Sequence, residues 1–309
     1  MLNTIDLFVG CGGLSEGFEQ SRKYKMIGAV EWEPSPVKEL RNHLKNRWGI
    51  QDSEERVLQF DIQRTEELFN GWKDKKFGES KGLDALVGNR QLDVIIGGPP
   101  CQAYSVAGRI RDEHGMREDY RNYLFESYLK VVQHYKPRVF VFENVPGILS
   151  AKPGDGSVRI IDLIQKAFAD AGYAVLPDLS NAIIDMTEYG VPQNRKRIII
   201  LGVSKEHYGD KAEAMVEKFY SSYLPEYKIE KKATVRDAIG DLPKLRPLDE
   251  PISYLGRKLS HSVSDPLING HISRFHNKRD IELFKFLEED IASGRLKYTS
   301  AKSLKTLYT

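Results

Sequence analysis

Short apolar runs alternate along this chain with stretches in which apolar residues recur every three or four positions. Six runs have the length and composition of buried strands. They occupy residues 4–9, 26–31, 57–60, 93–98, 139–144 and 197–203. Amphipathic helices are predicted between them, at residues 36–48, 122–135 and 160–172. Because strands alternate with helices, the pattern favours parallel βαβ units over a sandwich or a helical bundle. We therefore predict an α/β protein with a mostly parallel sheet.

The alternation changes in two places. Residues 72–90 form a polar insertion before the fourth predicted strand, and the succession of strands and helices fades after about residue 204. Short helices are predicted within residues 233–243 and 280–291. These changes divide the chain into three predicted parts, a first domain over 1–204, a linking segment over 205–244 and a C-terminal region over 245–309.

Composition narrows the class of protein. The chain has 309 residues, two cysteines (Cys11 and Cys101) and a formal net charge of +2. No apolar stretch approaches the roughly 20 residues of a membrane span, and the N-terminus lacks the pattern of a secretory signal. Two cysteines provide no disulfide framework, so we expect a reducing, cytoplasmic environment. In residues 251–309, ten basic residues face six acidic ones. This surplus suits a polyanion contact, although charge alone favours a solvated basic surface.

A glycine-rich turn, FVGCGGLSEGF, lies between the first predicted strand and the first helix. Glycines let the backbone approach a ligand, and the helix that follows offers free N–H groups. Glu31 ends the second strand, where a carboxylate commonly accepts hydrogen bonds from ribose hydroxyls. Trp32 could stack on adenine, and Asp61 ends the third strand at the same edge. We predict a nucleoside site for NAD or S-adenosylmethionine; a core position for Trp32 and a helix cap for Asp61 are the alternatives.

A second glycine-flanked loop, GGPPCQAYSVAGR at residues 97–109, follows the fourth predicted strand. Proline restricts its own backbone and that of the residue before it. Pro99 and Pro100 therefore hold Cys101 in a defined direction, which suits a nucleophile better than a structural cysteine.

Two further segments carry candidate chemistry. FENVPG places Glu143 at the end of an apolar strand, where burial favours a neutral carboxyl; a carboxylate satisfied by backbone donors is the simpler interpretation of this segment alone. YGVPQNRKRIII places Arg195 and Arg197 two positions apart on a strand, and hence on one face. A solvated charge cluster at the start of a strand is the alternative.

Together these segments resemble the DNA (cytosine-5)-methyltransferases. The matching stretches are DLFVGCGGLSEGF, EWEP, QFDI, GGPPCQAYSVAGR, RNYLF, VFENVPG and YGVPQNRKRI, in the family's order over about residues 4–203. The resemblance implies a Rossmann-like, doubly wound sheet of the class I S-adenosylmethionine-dependent methyltransferases. It makes residues 1–204 the cofactor-binding catalytic domain, and residues 245–309 the beginning of a target-recognition region.

The resemblance also implies a role for each candidate. Cys101 would add as a thiolate to carbon 6 of cytosine, which makes carbon 5 nucleophilic toward the methyl group. Glu143 would donate a proton to ring nitrogen 3. Arg197 would bind the carbonyl oxygen of the base, and Arg195 would support the cysteine loop and favour the thiolate. The base must be flipped out of the duplex for this chemistry.

The implied cofactor is S-adenosylmethionine, and the implied partner is double-stranded DNA. The residues that would bind the cofactor are Phe8, Gly10, Gly12, Glu31, Trp32, Asp61, Ile62, Pro100 and Leu124. In the family, the loop after the cysteine closes over the flipped base. Here that loop is residues 102–119, where Gln102 and Ser105 match the family and Arg109 could meet phosphate. No metal site is expected, since the histidines lack ligand spacing.

The sequence departs from the family pattern after the arginine pair. Family members carry an Arg-x-Leu-Thr-x-Arg-Glu segment and a last helix that this sequence lacks. We expect either a truncated chain or the larger subunit of a split enzyme, whose second polypeptide supplies these motifs. The leading hypothesis is an enzyme of a restriction–modification system. The alternatives are a non-catalytic remnant that binds cofactor or DNA, and a tRNA methyltransferase, which Ser105 disfavours because that group usually has threonine there.

Overall fold

The computed structural model describes residues 1–100, 124–152, 157–263, 268 and 270–307. Contacts divide the chain into two compact units, Met1–Thr234 and Val235–Thr309. Across the described residues, no helix has the length and apolar content that crossing a membrane would require.

The first unit alternates strands and helices, as predicted. Its strands are β1 (Leu2–Leu7), β2 (Tyr24–Glu31), β3 (Val57–Gln59), β4 (Trp72–Asp74), β5 (Gly78–Ser80), β6 (Val94–Gly97), β7 (Val139–Asn144), β8 (Tyr173–Ala174), β9 (Ile183–Asp185) and β10 (Lys196–Ser204). Its α-helices are α1 (Gly13–Gln20), α2 (Pro34–Trp48), α3 (Ser53–Arg56), α4 (Thr65–Asn70), α5 (Gly82–Val87), α6 (Leu124–Tyr135), α7 (Ile160–Asp170), α8 (Lys205–Tyr208) and α9 (Lys211–Lys218). Short 3₁₀ turns occur at Pro146–Leu149, Leu179–Ala182, Met186–Tyr189 and Pro225–Tyr227, and a π-helical turn at Phe219–Tyr223.

Within the described residues, eight strands form one sheet in the order β3-β2-β1-β6-β7-β10-β8, with β9 paired to β10. The neighbouring strands in the series β3-β2-β1-β6-β7 are parallel. Strand β10 runs antiparallel to β7, β8 and β9. The chain proceeds from β1 outward to β3 and then resumes at β6 on the other side of β1. Such a reversal opens a crevice at the carboxyl ends of the strands, where ligands bind in sheets of this kind. The predicted doubly wound, mostly parallel α/β fold is confirmed.

The six predicted strands are all present, with small shifts at their ends. The first ends at Leu7 instead of residue 9, because Phe8 has a φ of 60° and leaves the extended conformation. The predicted polar insertion at 72–90 is folded: it contains the hairpin of β4 and β5, and helix α5 buries Leu83 and Val87.

Tyr128 on α6 joins the helical layer to the centre of the sheet. Its side chain is fully buried, and its hydroxyl lies 3.1 Å from the carbonyl oxygens of Ile95 on β6 and Val141 on β7. Since a buried hydroxyl needs a partner, this position fixes how the helix packs on the two strands that end at the site described below.

Residues 205–234 pack on the same sheet. Helix α9 buries Ala212 and Val216 in the core. The Tyr220 hydroxyl accepts the Leu201 N–H at 2.9 Å and donates to the Ile199 carbonyl at 2.6 Å. The first compact unit therefore extends past residue 204, and the functional division into 1–204, 205–244 and 245–309 stays a prediction.

The second unit contains a hairpin and three α-helices among its described residues. The hairpin joins β11 (Pro247–Tyr254) to β12 (Arg257–His261), and the helices are α10 (Val235–Ile239), α11 (Lys278–Ala292) and α12 (Ala301–Lys305). Helices α10 and α11 lie where helices were predicted. The hairpin was missed because β11 is solvent-exposed along most of its length and shows no alternation of apolar and polar residues.

Gly202 marks a place where the sheet tolerates no side chain. A Cβ atom there would lie 2.0 Å from a ring carbon of Phe140, which is fully buried. We expect Gly202→Ala to lower the free energy of unfolding by about 1–3 kcal/mol through overpacking. Gly17→Ala, at an exposed position of α1 with open space around it, should instead be neutral or stabilise by about 0.5–1 kcal/mol. Urea denaturation measures both, and equal effects would contradict the packing argument.

Candidate functional site

The carboxyl ends of the parallel strands surround a cavity of about 320 Å³. This volume is within the range of small-molecule sites. Seven of the nine predicted cofactor residues line it, namely Phe8, Glu31, Trp32, Asp61, Ile62, Pro100 and Leu124. The other two, Gly10 and Gly12, lie in the turn that follows β1. The strand ends on which the nucleoside site was predicted thus meet at one cavity.

The turn after β1 is built from left-handed backbone. Phe8, Gly10 and Gly12 have φ angles of 60°, 56° and 87°. Gly12 is required for a second reason, since a Cβ there would lie 2.5 Å from Cδ1 of Leu40 on α2. A bulky residue such as Phe8 is strained in this conformation by about 1–2 kcal/mol. Strain of this kind is typical of ligand-binding positions, and the Phe8 side chain lines the cavity.

The Glu31 carboxylate is held in the cavity by backbone donors. Its Oε2 accepts the Gly10 N–H at 2.8 Å, and its Oε1 accepts the N–H groups of Trp32 and Glu33 at 2.8 and 2.9 Å. Two carboxylate oxygens have about four acceptor positions. Glu31 can therefore accept a further hydrogen bond from a ligand without losing the bonds that fix it.

Trp32 and Asp61 match the ligand-binding interpretation. Trp32 is 42% exposed, which excludes a core position. Asp61 Oδ1 accepts the Gln63 N–H at 3.0 Å, so this carboxylate fixes the turn before α4 and also lines the cavity. The alternative interpretation of Asp61 as a helix cap is wrong, because the N-cap position of α4 is Arg64.

Five cavity residues lie outside the predicted set of cofactor residues. They are Val30, Glu33, Phe60, Gln63 and Gly98. Each is adjacent in sequence to a predicted residue or motif, which is the signal that could have identified them. Phe60 matters most for the shape of the cavity, because its ring is buried and stacks on Trp72 with 3.9 Å between the ring centroids.

Glu143 and Arg197 are brought together by the antiparallel pairing of β7 and β10. Glu143 lies opposite Ile199, which puts Arg197 at the diagonal position on the neighbouring strand. Arg197 Nε donates to Glu143 Oε1 at 2.8 Å. The Glu143 side chain is 28% exposed, so its burial is less complete than its position at the end of an apolar strand suggested. The pair joins a carboxyl group to a cation near the strand that leads to Cys101.

The end of β6 lies directly against this pair. A Cβ at Gly98 would lie 2.8 Å from Glu143 Oε2, so a side chain there would displace the Glu143 carboxylate. Asn144 is buried, and its Nδ2 donates to the Pro99 carbonyl at 3.3 Å. Asn144 thus links β7 to the Pro99–Pro100 segment, a role that the sequence did not reveal.

The remaining predicted site residues are Arg195 and those of the cysteine loop. Arg195 lies just before β10, and its side chain is exposed. Its carbonyl accepts the Met186 N–H at 2.9 Å, and its side chain is not part of the Glu143–Arg197 pair among the described contacts. Cys101, Gln102, Ser105 and Arg109 lie outside the described residues. In the part of the chain that the structure describes, no group of three or more His, Cys, Asp or Glu side chains could hold a metal ion.

Asp6 is a buried acid next to the glycine turn. It is 1% exposed, and the Ser15 hydroxyl of α1 donates to its Oδ2. Burial raises the pKa of Asp6 to about 7, against the opposing effect of the Ser15 hydrogen bonds and with a contribution from the nearby Glu31 charge. This contact joins the end of β1 to the start of α1. It therefore stabilises the glycine turn that lies between them.

Comparisons with known proteins place this chain in a family. The family model for C-5 cytosine-specific DNA methylases matches residues 2–280. A type II methyltransferase of Bacillus paralicheniformis is 32% identical, over 95% of this chain and 76% of its own length. A type II methyltransferase of Thalassovita gelatinovora is 33% identical, over 82% of this chain and 54% of its own length.

Among solved structures, this chain is similar in fold to a prophage-encoded E. coli protein described as a candidate DNA modification methyltransferase. The TM-score is 0.55 at 24% identity, over 82% of this chain and 59% of the other. The chain therefore spans between about half and three quarters of the length of these relatives.

The buried acid predicts a pH dependence of stability. Because the pKa of Asp6 is raised from 3.8 to about 7 in the folded protein, the folded state binds the proton more tightly than the unfolded state. The resulting stabilisation is complete below about pH 4 and is lost as the pH rises through 7. We expect Asp6→Asn to remove this pH dependence of the free energy of unfolding. The change removed amounts to up to about 4 kcal/mol between pH 4 and 7. Urea denaturation at several pH values measures the change.

Asp241→Asn, at an exposed position of the second unit, is the control and should leave the profile as it is in the unaltered protein. An Asp6→Asn profile that coincides with that of the unaltered protein would show that Asp6 does not hold a proton near neutral pH.

Proposed function

This chain belongs to the C-5 cytosine-specific DNA methylase family, and we propose from that premise that it transfers a methyl group from S-adenosylmethionine to carbon 5 of cytosine in double-stranded DNA. The observation that carries the proposal is the Glu143–Arg197 pair, 2.8 Å apart, against the strand end that precedes Cys101. The relatives named as type II methyltransferases support a place in a restriction–modification system.

The cavity has the donor and acceptor groups that a nucleoside requires. Glu31 provides a fixed carboxylate for the ribose hydroxyls, and Phe8 and Trp32 provide ring surfaces for adenine. The remaining proposed contacts are those of Asp61 and Ile62 with the edge of adenine, of Gly10 and Gly12 with the methionine part, and of Pro100 and Leu124 with the walls. When bound, S-adenosylmethionine supplies an electrophilic methyl group.

Cys101 acts as the nucleophile. Its thiolate forms a bond to carbon 6 of cytosine, and the ring electrons that are displaced make carbon 5 nucleophilic. Glu143 donates a proton to nitrogen 3 as this bond forms. Once carbon 5 carries the methyl group, it loses its proton to water, and the sulfur leaves carbon 6 as a thiolate. Nitrogen 3 returns its proton to the Glu143 carboxylate in the same phase. Cys101 is thereby regenerated.

The two arginines have different roles. Arg197 donates to the carbonyl oxygen of the base, where negative charge develops, and its 2.8 Å contact with Glu143 holds both side chains in one arrangement. Arg195 is a positioning residue for the cysteine loop. Its exposure before β10 leaves it available to a loop or to DNA.

The partner is duplex DNA with the target cytosine flipped out of the helix. Gln102, Ser105 and Arg109 belong to the loop that we propose closes over the base and contacts the DNA backbone. A second polypeptide that supplies the rest of the recognition region stays part of the proposal.

Replacing the two cysteines separately tests the mechanism. We expect Cys101→Ser to abolish methylation while S-adenosylmethionine binding is retained, because a serine hydroxyl is a poor nucleophile at neutral pH. Cys11→Ser, at an exposed position of the glycine turn, should keep both properties. The measurements are methyl transfer to DNA and covalent trapping on DNA that contains 5-fluorocytosine, with S-adenosylmethionine present.

Turnover by the Cys101→Ser variant would overturn the assignment of the nucleophile. Absence of a trapped complex with the unaltered protein, even when the downstream reading frame is co-expressed, would favour the non-catalytic alternative. Parallel labelling of tRNA and DNA distinguishes the two nucleic-acid substrates.

Glu143→Gln tests the proton donor. Glutamine keeps the shape of the side chain but is not an acid, so we expect kcat to fall by about 10²–10⁴-fold with unchanged cofactor affinity. Glu188→Gln removes a carboxylate that pairs with Lys228 at 2.6 Å away from this pair, and should change kcat less than about twofold. Equal kcat values for the two variants would exclude Glu143 as the acid.

A further inference from the structure

The hairpin of β4 and β5, residues 72–80, backs the cavity on the side of Phe60 and Trp32. Phe77, near its turn, meets both rings edge to face, with centroid distances of 5.2 Å to Phe60 and 5.7 Å to Trp32. Trp72 stacks on Phe60 at 3.9 Å. Since Phe60 and Trp32 line the cavity, the hairpin forms a second aromatic layer behind its wall.

The charged side chain of Lys76 contacts two rings of this aromatic cluster. Its Nζ lies 3.9 Å from the centroid of the Trp32 ring and 4.7 Å from that of Phe77. Both distances are within the range of cation–π attraction, which is strongest for tryptophan. Lys76 itself does not line the cavity. Its ammonium group therefore lies over the Trp32 indole, and Trp32 is the residue of this pair that lines the cavity.

The turn that carries Lys76 is held independently of the lysine side chain. Asp74 Oδ1 accepts the backbone N–H groups of Lys76 and Phe77 at 2.9 and 2.6 Å. Asp74 Oδ2 accepts from Arg64 at 2.6 Å, and the Arg64 guanidinium lies 4.7 Å above the Phe60 ring. Replacing the Lys76 side chain thus leaves these contacts in place.

We infer that Lys76 is a positioning residue for the cofactor, which fixes the Trp32 indole so that its free surface receives the adenine ring. This inference rests on the proposed function. Trp32 is 42% exposed and follows the last residue of β2, so its own packing does not restrict the ring. The contacts of Lys76 and Phe77 supply that restriction, and a ring already oriented in the free protein loses less entropy when the ligand binds.

A direct charge effect on the ligand would act in the opposite direction. S-adenosylmethionine carries a positive sulfonium, whereas its demethylated product S-adenosylhomocysteine does not. If Lys76 acted through its charge on the ligand, removing it would favour the sulfonium compound over the product. If Lys76 acts through Trp32, both compounds lose affinity equally, because they share the adenine ring.

The test compares Lys76→Gln with Lys75→Gln, which removes the neighbouring exposed lysine of the same turn. Calorimetric titration of the full chain with each compound gives the dissociation constants. We expect Lys76→Gln to weaken both compounds by about two- to fivefold, the equivalent of an exposed cation–π contact, and Lys75→Gln to leave both unchanged. Each ligand should quench the tryptophan fluorescence of the protein. At a given ligand concentration, we expect less quenching in Lys76→Gln than in the unaltered protein, and unchanged quenching in Lys75→Gln.

A double-mutant cycle with Trp32→Leu separates this role from a general effect on the hairpin. In the Trp32→Leu background, Lys76→Gln should no longer change either dissociation constant. A loss that persists without Trp32, a loss equal to that of Lys75→Gln, or a gain confined to S-adenosylmethionine would each overturn the inference. If the unaltered protein binds neither compound, the proposed function itself fails.

Discussion

Three backbone N–H groups converge on the Glu31 carboxylate, and the part of the site that we propose for the cofactor depends on this convergence. One donor, Gly10, belongs to the turn after β1, and the other two, Trp32 and Glu33, follow β2. The carboxylate therefore joins two neighbouring strand ends through hydrogen bonds. The left-handed backbone of Phe8 and Gly10 has its reason here, since it turns the Gly10 N–H toward β2.

The side of the site that we propose for catalysis is organised by a different pair of contacts. Arg197 joins β10 to β7 through Glu143, and Asn144 joins β7 to the Pro99 carbonyl at the end of β6. Each contact links neighbouring strands of the sheet at the same edge. The position of the segment that leads to Cys101 is thus determined by the sheet and by buried hydrogen bonds, not by the loop alone. Preorganisation of this kind is what electrostatic catalysis requires.

Much of the fold could be predicted from the sequence, because buried parallel strands are short continuous apolar runs with clear ends. Glu31, Trp32 and Asp61 were predicted for the same reason: polar and aromatic residues directly after such runs meet at one edge. The other predicted cavity residues, Phe8, Ile62, Pro100 and Leu124, followed from the family resemblance. Elements that depend on tertiary contacts were missed. The hairpin of β4 and β5 has only three residues in each strand, and its polar sequence hides Trp72 and Phe77, which pack against Phe60. The partner of Asn144 is distant in sequence, so no local pattern indicates it.

The reversed direction of β10 decides which part of the chain can serve the site. A parallel strand brings only its last residue to this edge and then continues into a helix that leaves it. An antiparallel strand begins at this edge. Its first residues and the segment before them therefore lie there. Arg197 is consequently anchored by the strand that follows it, down to Ser204. The register of β10 with β7 thus keeps the Arg197 guanidinium beside Glu143.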